Sequence, residues 1–339
     1  MFPRLKGTRI LVLGATGAMG KYLVPLLAGA GATVEAVALD KFPAEISGVD
    51  TIVGDFLKDN DFRNALLAKP YDAIVDFMIY GTALAAVRLP ELVRNTGHYI
   101  YLSSYRVYAD EEHPIRESSP RLIDASKNEL LRNSDDYSIH KARGENILRS
   151  FDRRNWTIIR PAITYSLCRY QLVTLEASNT VGRALAGKPV VLPEQARRVQ
   201  GTMSWAGDVA RMIAGLLFND MAFGDTFTVS TSEHHTWEEI AEYYRSICGL
   251  KAVWVDMEDF LRVRNARPVT QGSRWQLIYD RLYHRIVDNA KILSATGMTQ
   301  SELKPLYEGL EYEISRCPRD TVWLENPAMD AYLAERGLL

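Results

Sequence analysis

The chain has 339 residues, 47% hydrophobic and 24% charged, enough for one large domain or two moderate ones with a substantial core. A net charge of −2 offers no basic field for nucleic acid. Three cysteines, Cys168, Cys248 and Cys317, are far apart and match neither a metal spacing nor a disulfide framework, which points to a reducing compartment.

The start, MFPRLKGTRILVLGATG, has a short apolar run that meets glycines at once and lacks the apolar core of a cleavable signal. No stretch approaches the ~20 apolar residues of a membrane span. A soluble cytoplasmic protein is expected. Residues 9–13, RILVL, read as a strand buried on both faces. GATGAMGKYLVPLLAGAG then turns into a helix ending in Gly29 and Gly31, which Pro25 should bend or shift in its start. Strands follow at 33–40 and 50–56, a helix at 57–68, a strand at 71–80, and a helix at 82–97 bent at Pro90. A strand at 98–104, a helix at 136–152 and a strand at 156–163 complete the series. Such alternation predicts an α/β fold, a Rossmann-type doubly wound parallel sheet.

Beyond residue 164 the rhythm changes. A helix at 172–188, a short strand at 189–192, a helix at 205–220 and a strand at 225–230 are expected. Thr236 should cap the next helix, with Glu239 completing a capping box. A strand and a helix over 251–264 and two helices between 287 and 317 follow. The pattern divides into a dinucleotide-binding domain, 1–165, and a smaller mixed α/β part, 166–318, mainly for substrate, with some elements packing back on the sheet. A weakly patterned tail, 319–339, closes the chain.

Gly14, Gly17 and Gly20 are spaced G-x-x-G-x-x-G between a strand and a helix. Backbone N–H groups at a helix start, with no Cβ in the way, can receive a pyrophosphate. Asp40 ends the second strand, where a carboxylate accepts from a ribose 2′-hydroxyl and repels a 2′-phosphate. This favours NAD over NADP, although Lys41 stands beside it. Asp55 ends the third strand and could meet the adenine amino group; the plain alternative is a turn aspartate. Tyr137 and Lys141 are four apart, on one helical face. Alone they would be a surface pair. With the glycine loop upstream and Ser104 at a strand end they read as an acid–base unit, Lys141 favouring the phenolate of Tyr137 and Ser104 donating to a substrate oxygen. His140 should lie off their face on the helix surface, His234 and His235 in a loop, and Asp208 at a helix start. The run at 275–288 reads as core or lid packing. No metal site is expected, and no G-x-S-x-G, Walker loop or H-E-x-x-H occurs.

The motifs GATGAMG, VGDF, YIYLSSYRVYAD, YSIHK, IIRPAITY, GDVARMI and VDNAKILSATG together resemble the extended short-chain dehydrogenase/reductase superfamily, in its NAD-dependent epimerase/dehydratase branch. The resemblance implies Ser104, Tyr137 and Lys141 as catalytic residues, Lys141 also holding the nicotinamide ribose. It implies NAD contacts from Gly14, Thr16, Gly17, Ala18, Met19, Gly20, Asp40, Asp55, Phe56, Phe77, Met78, Tyr137, Lys141 and Pro161. It further implies a nucleotide-sugar substrate and a homodimer through two helices per subunit, including that of Tyr137, with Leu130 and Leu131 just before it. The chain departs from the family pattern in several places. Ile163 replaces an asparagine, Ser166 and Leu167 replace Gly-Pro, and Gly201 stands where an arginine is common, with Arg197 and Arg198 nearby. Tyr105 and Arg106 replace the Asp-Glu of dehydratases, which favours an epimerase or ketoreductase. Two other classes are a non-catalytic dinucleotide-binding regulator, which tends to lose the Tyr–Lys pair, and an RNA-binding relative, which the net charge does not support.

Overall fold

The computed structural model describes residues 2–43, 45–264 and 268–339. Its centre is a seven-stranded sheet. In chain order the strands are β1 (Arg9–Leu13), β2 (Thr33–Ala38), β3 (Val49–Val53), β4 (Tyr71–Asp76), β5 (Thr96–Leu102), β6 (Trp156–Ile159) and a last strand, Asp225–Phe227. They lie in the order β3-β2-β1-β4-β5-β6 with Asp225–Phe227 outermost, and all pair in parallel. The order reverses direction at β1 and β4, the switch point where a doubly wound sheet opens a crevice at its carboxyl ends.

The two-residue period of a strand explains why β1 is apolar throughout. Ile10 and Val12 face one layer, where α1 (Gly20–Gly29) and the helix Ala206–Leu216 pack. Leu11 and Leu13 face the other, with α2 (Asn60–Leu67), α3 (Thr82–Arg94) and, later, α6 (Tyr137–Arg149). All four side chains are fully buried. Short helices α4 (Leu122–Ala125) and α5 (Glu129–Asn133) precede α6 and cover its start through Leu122, Leu131 and Ile139. Leu131 is therefore part of the chain's own core, while Leu130 is exposed.

The strand expected at 71–80 stops at Asp76, because the buried Asp76 carboxylate accepts the N–H of Met78 and turns the chain. Pro25 neither breaks nor delays its helix: α1 runs through it, with the ring on the solvent side. The helix expected at 172–188 is mostly absent. Only a turn at Ala177–Asn179 and a short helix at Val181–Leu185 form; Val173 sits at φ +53° and residues 172–175 make a tight bridge. The tail is better ordered than its pattern suggests. Pro327–Ala334 is helical, capped by Asn326, and buries Met329, Tyr332 and Leu333 against the 166–318 part. Cys168 and Cys317, 149 residues apart, lie with their sulfurs 3.9 Å from each other as free thiols. Among the described residues no helix is long and apolar enough to cross a membrane.

Candidate active site

The glycine loop follows β1 directly. Gly14 has φ +76°, a conformation that favours glycine, and its N–H donates to the Val37 carbonyl at 2.9 Å. Gly20 opens α1, and a Cβ there would run into the Ala15 carbonyl, so only glycine lets the helix start so near the strand. Gly14, Gly17, Ala18, Met19 and Gly20 form one wall of a cleft of about 310 Å³. A helix N-terminus stripped of side chains at its closest approach fits a pyrophosphate, both by its N–H groups and by its dipole. Phe77 and Pro161 line the same cleft. Asp40 is exposed, two residues past β2, and accepts the Thr16 hydroxyl at 2.8 Å.

Asp55, Phe56 and Met78 do not line this cleft. Phe56 is buried in the core with Leu66 and Tyr71. The Asp55 carboxylate accepts the N–H groups of Leu57 and Lys58 at 3.0 and 3.1 Å, a local turn. Met78 gives its carbonyl to Lys141 at 3.3 Å.

Ser104 and Tyr137 line the same cleft as the glycines. Ser104 ends the segment after β5, and its oxygen accepts the Arg106 N–H at 3.2 Å, which leaves the hydroxyl proton free to donate. Its neighbour Ser103 is fully buried and donates to Glu145 at 2.6 Å, a purely structural bond. Tyr137 is the first residue of α6, set by Asp136, whose carboxylate caps the helix at the Ser138 N–H. Burial pushes the Tyr137 phenol above its usual range, and the charge of Arg106, the Ser104 hydroxyl and the charge of Arg169 pull it back.

Lys141, one turn on, is fully buried. Its ammonium donates to the Leu102 carbonyl at 2.6 Å and to Met78, and lies 5.7 Å from the Tyr137 ring centre. Burial lowers its pKa to about 8 against the pull of Asp76 and Glu145. His140, expected on the helix surface, is buried as well, its ring edge-on to Tyr137 at 5.4 Å and its nitrogen at the Asp135 carbonyl.

The helix that carries these residues is anchored by a buried ion pair. Glu145, two turns past Tyr137, meets Arg160 at the end of β6 through two bonds of 2.7 and 2.6 Å. Burial disfavours the Glu145 charge, but Arg160 wins and brings its pKa down to about 2.

The cleft also carries three cations beside the carboxylate of Glu176, and they were not foreseen as part of the site. Arg106, Arg169 and Arg281 line the cleft. Arg106 lies over the Tyr137 ring, 4.9 Å from its centre. Arg281 belongs to a π-helical turn, Leu277–Arg281, whose buried Asp280 binds Arg281 directly, Arg285 at 3.2 Å and Arg106 at 3.5 Å. Such turns are frequent at functional sites. The only sequence signal was Arg106 itself, two residues after Ser104. Arg197 and Arg198 stay away from the cleft, both paired with Glu238. A wider depression of about 780 Å³, lined by Arg149, Arg154, Trp156 and Asp225, lies at the amino ends of β6 and its neighbour. That is the wrong end of a parallel sheet for this chemistry.

The model of the NAD dependent epimerase/dehydratase family matches residues 10–220. No curated protein sequence matches significantly. Among solved structures, the epimerase Mth375 of Methanothermobacter thermautotrophicus superposes with a TM-score of 0.70 at 16% identity, covering 93% of each chain. The UDP-glucose 4-epimerase of Thermus thermophilus, solved with NAD, gives 0.65 at 18% identity, over 91% of this chain and 98% of that one. The UDP-glucuronic acid 4-epimerase of Bacillus cereus, solved with UDP-glucuronic acid and NAD, gives 0.66 at 15% identity over the same shares. At these identities the likeness is one of fold.

Proposed function

The chain belongs to the NAD-dependent epimerase/dehydratase family, and from that premise we propose that it is an NAD-dependent epimerase or ketoreductase acting on a nucleotide-activated sugar. The observation that carries the reading is that the glycine loop, Ser104 and Tyr137 line one cleft, though 90 and 33 residues separate them along the chain. NAD, when bound, supplies the hydride acceptor and donor. The helix start at Gly17–Gly20 would hold its pyrophosphate, and Asp40 the adenosine ribose.

The chemistry assigned to the chain is proton handling. The Tyr137 oxygen takes the proton of a sugar hydroxyl and returns it to the product. The Ser104 hydroxyl donates to the same sugar oxygen and holds it while its charge changes. Lys141 does not line the cleft; fully buried behind it, its ammonium ties the end of β5 to the loop after β4 through the Leu102 and Met78 carbonyls. Tyr105 and Arg106 leave no carboxylate pair beside Ser104, which weighs against dehydration. The proposed substrate matches the UDP-sugars bound by two of the structural neighbours.

The test is mass spectrometry of the denatured, purified protein, followed by turnover of a panel of UDP-sugars by wild type and Tyr137→Phe. Release of NAD supports a cofactor retained through oxidation and re-reduction. The Phe variant should lose about 10²–10⁴ in turnover while keeping its NAD affinity. Full activity in Tyr137→Phe would sink the reading.

A further inference from the structure

We propose that Arg106 is the positioning residue for the Tyr137 phenol: its guanidinium, held over the ring, is the fixed charge that favours the phenolate, a part the family pattern gives to the lysine of the same helix. The proposal rests on Tyr137 being the proton carrier.

Three observations support it. First, the guanidinium sits over the ring and between two carboxylates. Its carbon lies 4.9 Å from the ring centre, Nε is 3.5 Å from the buried Asp280 carboxylate, and Nη2 is 3.9 Å from the Asp136 carboxylate at the start of α6. The Arg106 N–H is also bonded to the Ser104 oxygen, so one short segment carries both the hydroxyl donor and the cation.

Second, Lys141 is turned to other work. Both of its bonds go to backbone carbonyls, it sits farther from the ring, and its charge is drawn on by the carboxylates of Asp76 and Glu145. Its burial leaves it partly neutral at mildly alkaline pH, whereas a guanidinium stays charged throughout.

Third, the other charges facing Tyr137 do not replace Arg106. His140, on the same helix, is driven towards its neutral form by burial. Arg169, from the loop after Ile163–Tyr165, is exposed, so solvent screens it. Asp280 opposes the phenolate, but Arg281 and Arg285 already neutralise it. Asp136 caps α6 with its carboxylate. Arg106 is the foremost of the charges that draw the phenol down.

A single opposite charge at this range moves an ionisation by about 1–3 in pH. The experiment uses the NAD-loaded protein labelled at the ζ carbon of tyrosine. The Tyr137 signal is identified by its loss in Tyr137→Phe, and its phenolate fraction is followed by NMR against pH. The pH dependence of turnover on UDP-glucose and UDP-glucuronic acid is recorded beside it. In Arg106→Met the phenolate should form about 1 or more higher in pH than in wild type, and the rising limb of turnover should move with it. Arg106→Gln, which keeps a polar side chain beside Asp280 without the charge, should do the same. Arg106→Lys should restore the wild-type profile, and Lys141→Met should move it less than Arg106→Met. Equal phenolate fractions in wild type and both neutral variants at every pH the fold tolerates would overturn the proposal, as would a larger displacement from Lys141→Met. If Tyr137→Phe keeps full turnover, the acid–base reading falls first and the proposal with it. If Tyr137→Phe is inactive and the neutral Arg106 variants titrate as wild type, only the proposal falls.

Discussion

Replacing Lys141 by methionine should uncover a stability that depends on pH. The lysine is fully buried, and its pKa falls from 10.5 to about 8 because burial penalises the charged form. A drop of that size corresponds to about 3 kcal/mol of strain against the charged state at neutral pH. Below pH 8 folded and unfolded chains both hold the proton, and the penalty is present in full. Between pH 8 and 10.5 only the unfolded chain holds it, so stability rises with pH in that window. Methionine removes the charge and its penalty, but leaves the Leu102 and Met78 carbonyls without their donor, at roughly 1–2 kcal/mol each. At pH 7 the two effects nearly cancel, and the variant should lie within about 2 kcal/mol of wild type. From pH 7 to pH 9.5 wild type should gain about 2 kcal/mol relative to Lys141→Met. The assay is urea denaturation of both proteins at the two pH values, with equal slopes as the check that the unfolded states match. A difference between the proteins that stays constant from pH 7 to 9.5 would refute the reasoning, since it would mean that the folded lysine titrates as it does in the unfolded chain.

Other outcomes follow from the same geometry. Glu145→Gln leaves the Arg160 guanidinium buried beside a neutral partner and should cost about 3–5 kcal/mol by denaturant titration. The wild-type contribution of Glu145 should be complete above pH 4.5 and be lost as pH falls towards 2, because its folded pKa lies below the unfolded one. Asp40→Ala should weaken NAD more than NADP in calorimetric titration; an unchanged ratio would remove Asp40 from cofactor choice. A homodimer through α3 and α6 should sediment as such at micromolar concentration and dissociate on Val87→Glu, since Val87 is a large apolar side chain left exposed on α3. A wild-type monomer at that concentration would end the proposal.

The sequence by itself determined the sheet and the glycine wall of the cleft, because both are local codes. Apolar runs such as Ile10–Leu13 can only be buried on two faces, and a glycine triplet between a strand and a helix fixes where a backbone stands bare. Ser104 and Tyr137 were legible for the same reason: each sits at the end of an element whose period is written in its neighbours. The helix at 172–188 was misread because its apolar residues, Leu172, Val173 and Leu175, are spaced for a helix but buried one by one around a tight bend. The tail helix was missed because Met329, Tyr332 and Leu333 make an apolar face only against the groove that receives them, where Asp330 is also held by Arg183 and Lys188. Only the tertiary structure decided where the charges near Tyr137 point. Arg106 and Asp280 are 174 residues apart in the chain, and no periodicity links them. A lysine's place on a helical face gives its direction, but not whether water or two backbone carbonyls will meet its ammonium. Burial and pairing are set by what the rest of the chain brings to the spot, and that information is spread over the whole fold.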